Sequence, residues 1–136
     1  MATAGYSGTP LLKKLGITRS MKVQLVNVPA DYFDWLGTDI RDQLAAPADI
    51  ADFVHVFATS NAAFEMALKK LKVVYKTNPQ VIIWVSWYKK SAGIPTDLTE
   101  DVIRNYALQN DLVDVKVCAV TDVWSGLKLV VPKSKR

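Results

Sequence analysis

The run Tyr88-Lys89-Lys90-Ser91-Ala92-Gly93-Ile94-Pro95-Thr96 sets two cations, hydroxyl groups and a glycine directly after the most apolar stretch of the chain. That set suits an anion. Lysines supply charge and hydroxyls supply donors, and a helix beginning just after Thr96 would point free backbone N–H groups and the positive end of its dipole at the same place. A plainer reading is equally open, in which Lys89 and Lys90 are solvated loop charges and the residues from Thr96 to Glu100 only cap the helix. Asn27, Thr59 and Ser60 follow two other apolar runs, and with Lys89, Lys90, Ser91 and Thr96 they form the expected ligand-binding set.

The remaining reactive residues read as structural. His55 is the sole histidine and alternates with Phe53 and Phe57. It is expected to be a satisfied interior imidazole and not a base, since catalytic groups of parallel sheets gather at strand ends. Cys118, between Val117 and Ala119, reads as an inert buried thiol. As the only cysteine it excludes an intramolecular disulfide and a zinc site with two thiolates, and points to a reducing compartment. Trp84 and Trp87 fall on opposite faces of one strand. Trp87 and Trp124, near loop ends, would pack in the core or line a pocket. No metal cluster, no Ser-His-Asp order and no glycine-lysine phosphate loop is found, so catalytic residues and cofactor stay unassigned.

The elements that would hold these residues follow from periodicity and punctuation. Thr9, Pro10 and Gly16 bracket a short helix as N-cap, first residue and C-terminal glycine. Residues 21–28 read as a strand, Tyr32, Phe33, Trp35 and Leu36 as a short helix closed by Gly37, and 40–44 as a short edge strand. The run 53–58 is apolar enough for a strand buried on both faces. Ser60 then caps a helix to about Lys76, stopped by Asn78-Pro79. After a strand at 81–87, Asp97 and Glu100 form a capping box for a helix whose buried face holds Val102, Ile103, Tyr106 and Ala107. Strands 113–120 and 127–131 make a hairpin joined through Thr121-Asp122-Val123-Trp124-Ser125-Gly126. The alternation specifies an α/β fold: a three-layer, Rossmann-like, mostly parallel sheet with right-handed crossovers and a C-terminal antiparallel hairpin.

This order of elements resembles that of Rossmann-like S-adenosylmethionine-dependent methyltransferases with the middle strand-helix unit shortened or absent, a truncated methyltransferase-like layout. In those enzymes a glycine-rich turn follows the first strand, whereas Val26-Asn27-Val28-Pro29-Ala30-Asp31-Tyr32 holds no glycine. At closer range the chain resembles an uncharacterised bacterial domain-of-unknown-function family. The resemblance rests on Gly5-Tyr6-Ser7-Gly8-Thr9-Pro10, on Trp84-Val85-Ser86-Trp87-Tyr88-Lys89-Lys90-Ser91 with Thr96-Asp97-Leu98-Thr99-Glu100-Asp101, and on Asp114-Val115-Lys116-Val117-Cys118-Ala119-Val120 with Trp124-Ser125-Gly126-Leu127-Lys128-Leu129. It implies a fold and a lineage and carries no activity.

Composition sets the outer bounds. A length of 136 residues, half of them hydrophobic and 22% charged, suits one packed α/β domain over 1–136, with an N-terminal helical arm at 1–20 and a basic tail at 132–136. No apolar run approaches the roughly 20 residues of a membrane span, nor is there a signal peptide, so a soluble, cytoplasmic protein without a membrane partner is expected. The net charge of +4 owes much to Lys13, Lys14, Arg19 and Lys22 near the start and to Lys133, Lys135 and Arg136. Without interleaved aromatic residues the tail reads as solvated, and nucleic acid as an unlikely partner. Oligomeric state is not legible. The expected function is a non-catalytic or degenerate methyltransferase-like domain binding a small anionic ligand or a protein partner. One alternative is a methyltransferase whose altered loop contacts the cofactor through Asn27, Asp31 and Thr59; another is weak nucleic-acid binding through the basic termini.

Overall fold

The structure is a computed structural model and describes residues 10–136. The N-cap read at Thr9 and the motif from Gly5 onward lie outside the described residues.

Three apolar runs form parallel strands β1 (Val23–Val26), β2 (Phe53–Phe57) and β3 (Ile82–Tyr88). Val23 pairs with Phe53, and Phe53 in turn with Ile82. Strands β4 (Val113–Ala119) and β5 (Trp124–Val130) form the expected hairpin, but β5 also pairs antiparallel with β3. The sheet order is therefore β1-β2-β3-β5-β4, a mixed sheet in which β5 alone runs against the rest.

Side chains alternate across this sheet and so divide the core in two. Phe53, Phe57 and Trp84 point to the face covered by α1 (Leu11–Leu15) and α2 (Tyr32–Leu36). Val54, Val56, Ile83 and Val85 point to the face covered by α3 (Asn61–Thr77) and α4 (Glu100–Gln109). Helix α3 starts where Ser60 Oγ accepts from the Ala63 N–H at 3.1 Å, and it buries Phe64, Ala67, Leu68, Leu71, Val74 and Tyr75. Both short helices end in left-handed glycines, Gly16 at φ 80° and Gly37 at φ 72°. Helix α1 is built into the core: Leu11 and Leu15 are buried, and the Leu15 carbonyl accepts from Trp84 Nε1 at 2.9 Å.

Two elements differ from expectation. In place of an edge strand at 40–44 there is a 3-10 turn, Arg41–Gln43, followed by a single parallel bridge from Leu44 to Val23. Gln43 explains this. Its side chain turns inward and donates to the Thr18 carbonyl at 2.8 Å and the Met21 carbonyl at 3.1 Å, which holds the chain off an extended path. Gly126, read as part of a turn, lies inside β5 beneath Trp84. The tail is folded as well: Lys133–Lys135 is a 3-10 turn, and Arg136 Nε donates to the Val131 carbonyl at 3.0 Å.

Candidate functional site

At the carboxyl end of β3 the chain leaves the sheet, makes a 3-10 turn at Lys90–Ala92 and reverses at Gly93, φ 70°. It returns at Leu98, which is buried. Between this loop and the first turn of α4 lies a groove of about 910 Å³. Trp87, Tyr88, Lys89, Lys90, Glu100 and Asp101 are among the residues that line it.

The lining carries both signs of charge. Arg104 binds Glu100, Asp101 Oδ1 at 2.9 Å and Asp114 Oδ2 at 3.0 Å. Its guanidinium is held well above the usual range by hydrogen bonds to Asp114 and Glu100. Glu100 and Asp101 in the lining are thus each paired with Arg104.

Hydroxyl and carboxylate groups around the groove close the fold. Asp97 does not cap α4 as its spacing with Glu100 suggested. The α4 cap is Thr99, whose Oγ1 accepts from the Val102 N–H at 3.3 Å, while Asp97 Oδ1 accepts from the Asn61 N–H at 2.7 Å, at the start of α3. Thr96 Oγ1 donates to the Thr59 carbonyl at 2.8 Å and accepts from the Leu98 N–H at 3.1 Å. These bonds fasten the 88–99 loop to the turn between β2 and α3.

Of the expected ligand set, Lys89, Lys90, Ser91 and Thr96 line the groove together. Thr59 and Ser60 come next to Thr96 and Asp97, with the Thr59 carbonyl used in the tether and the Ser60 hydroxyl used on α3. Asn27 stands at the end of β1, exposed, with φ 57°. A separate depression of about 610 Å³ beside α2 is lined by Asp31, Phe33, Trp35 and Arg41 among others. The acidic part of the lining and the tether through Asp97 escaped sequence reasoning. Their only signal is the crowding of side-chain acceptors at Thr96, Asp97 and Thr99.

The other chemistry-bearing groups are interior. His55 Nδ1 lies 2.8 Å from Tyr32 Oη and Nε2 lies 2.7 Å from Ser86 Oγ, and all three residues are fully buried. The imidazole stacks on Phe57, centroids 4.5 Å apart. Burial pushes the imidazole down to about 3 and the Tyr32 hydroxyl upward. A serine, a histidine and a third orienting group are the parts of a nucleophile and its base. Here they are sealed under α2, on the face opposite the α3 and α4 core, and bridge α2, β2 and β3. Cys118 is half-buried and its thiol is pushed up by burial. Trp124 packs against Tyr88 at 4.5 Å and Phe57 at 4.9 Å. Among the described residues there is no group of His, Cys, Asp or Glu arranged for a metal ion, and no helix is long and apolar enough to cross a membrane.

No protein-family model matches the sequence, and no curated protein is similar to it. Solved structures are similar in fold. A protein of the NADB-Rossmann superfamily from Streptococcus agalactiae aligns at TM-score 0.51 and 12% identity, over 93% of this chain and 70% of that one. An uncharacterised protein from Listeria monocytogenes serotype 4b aligns at TM-score 0.58 and 10% identity, over 92% and 68%. At such identities the likeness concerns the Rossmann-like α/β fold alone.

Proposed function

We propose that this chain is a non-catalytic, cut-down methyltransferase-like domain of the bacterial cytoplasm that binds a small anionic ligand in the groove after β3. The observation that carries the reading is the groove itself, whose lining combines Lys89 and Lys90 with Trp87 and Tyr88 at the carboxyl edge of a Rossmann-like sheet. The anionic group lies against the lysines, and a flat or apolar body lies along the aromatic side chains. The non-catalytic part is supported by His55, whose ring nitrogens are both engaged away from the groove. The sheet order, with β5 reversed between β3 and β4, fits a methyltransferase-type layout that lacks its middle unit.

Sulfate tests this. Ligand that binds only the folded state raises its stability by about 1.4 kcal/mol at ten times Kd, a shift of a few degrees in melting temperature for a domain of this size. Sulfate should raise the melting temperature of the wild type more than that of a folded Lys89→Ala, Lys90→Ala variant. Because sulfate also stabilises proteins generally by exclusion from their surface, the comparison is between the two proteins at matched sulfate. Equal shifts would remove the anion site.

A second reading has one observation in its favour. Asn27 takes the left-handed conformation in the turn after β1, the place where the methyltransferases that the layout resembles carry their glycine-rich turn. In that reading Asn27, Asp31 and Thr59 contact S-adenosylmethionine. Calorimetry with the cofactor and its demethylated product separates the two, since an absence of heat at millimolar concentration leaves only the first.

A further inference from the structure

The basic residues that the sequence scatters over a helix and a distant tail come together on one surface. Lys69, Lys72 and Lys76 follow one another at three- and four-residue intervals along α3, so they form a single exposed stripe with about one cation per turn. The folded tail lies beside its lower end. Lys76 Nζ binds Asp111 Oδ2 at 2.6 Å, Lys135 Nζ lies 3.8 Å from Asp111 Oδ1, and Lys72 is within electrostatic range of the same carboxylate. Arg136 is anchored by the Val131 carbonyl and reaches Gln80 Oε1 at 3.4 Å, just past the end of α3. Stretches 69–76 and 133–136 hold seven of the 17 Lys and Arg residues and none of the 13 acidic ones. With Asp111 set beside them, the remainder of the chain carries more acid than base. These two stretches, taken with Asp111, therefore carry a clear excess of positive charge.

We infer that the α3 stripe and the folded tail form a docking surface for the phosphate backbone of nucleic acid, read without regard to sequence. Exposed ammonium groups spaced about one helical turn apart match a polyanion with regularly spaced phosphates. No aromatic side chain is exposed along the stripe, since Tyr75 is buried, so bases have no platform to stack on. A lipid surface fits less well. Met66 and Val73 are exposed on α3, but the apolar face of the helix is spent on the sheet, and two separate side chains do not make an insertable face. Asp111 is the brake on this surface, because one carboxylate engages two of the cations.

Fluorescence anisotropy of the full chain with a labelled mixed-sequence DNA duplex tests the inference. Binding should be strongest at low salt, with the logarithm of the affinity falling linearly with that of salt, at a slope near −3 for about three phosphate contacts. Lys72→Glu with Lys135→Glu should weaken binding at least about tenfold at low salt. Lys89→Glu with Lys90→Glu, at the groove, carries the same change in net charge and should weaken binding several-fold less, so this result and the sulfate result stand or fall separately. Asp111→Asn should tighten binding; asparagine is well tolerated at the φ of 66° found there, and a thermal melt checks that each variant is folded. The inference is overturned by no binding at low salt, by affinity independent of salt, by equal loss in the groove variant, or by retention on anionic vesicles without binding to DNA.

Discussion

A histidine buried inside a fold cannot take up a proton without placing a charge where water does not reach it. His55 is in that position between Tyr32 and Ser86, and its pKa is held at about 3 against the ordinary 6.5. Above pH 6.5 neither the folded nor the unfolded imidazole is charged. Between pH 6.5 and 3 the unfolded one binds a proton and the folded one does not, so the folded state loses about 1.4 kcal/mol per pH unit over that window. Urea midpoints should fall between pH 6.5 and 4.5 for the wild type, and far less for His55→Gln, whose amide does not titrate. Identical pH slopes in the two proteins would show that His55 is not the source. The interior placement of His55 was legible, because Phe53, His55 and Phe57 alternate onto one face. Its partners were not, since Tyr32 and Ser86 lie 23 and 31 residues away and meet it only through the order of the sheet. Asn27 shows the converse: its side chain drew attention, whereas its backbone conformation is what the turn uses.

The helices and strands were legible wherever one local signal had no competitor. Helix α3 has one cap and one stop, and the structure follows both. The start of α4 was ambiguous, since Thr96, Asp97 and Thr99 can each accept a backbone N–H, and only tertiary contact sends Asp97 to α3. Gly126 was misplaced for a related reason: a glycine between two apolar runs looks like a turn, and the demand that fixes it comes from across the sheet. A Cβ at Gly126 would stand 3.1 Å from Trp84 Cε3 and 3.1 Å from Val120 Cγ2. Trp84 has little room to yield, being buried and bonded to Leu15. Gly126→Ala should therefore cost about 1–3 kcal/mol by overpacking. In the double variant with Trp84→Phe, the added cost of the alanine should shrink. Chemical denaturation measures both, and an alanine variant as stable as wild type would mean that the β3–β5 contact adjusts freely.

At the scale of the molecule, the α/β class and the alternation of elements were readable, while the order of the strands was not. A hairpin announces that β4 and β5 pair; it does not say which of them faces β3. Which surface holds the charge was equally hidden, because α3 and residues 133–136 approach each other only when β5 delivers the tail to the end of α3. The position of β5 reaches beyond the finished fold. Strands β1, β2 and β3 can join as they are made, but β4 pairs with β5 alone, and β3 keeps an open edge until β5 arrives. A chain ending at Val123 should accordingly show no cooperative melt and should bind a hydrophobic dye, whereas one retaining residues through 131 should fold. During synthesis on the ribosome the same condition holds in time: the first four strands wait, with an unpaired edge and uncovered Leu and Val side chains, for a segment not yet translated. That interval is when a nascent chain of this design most needs a chaperone, and its length is set by the speed of translation rather than by the stability of the sheet.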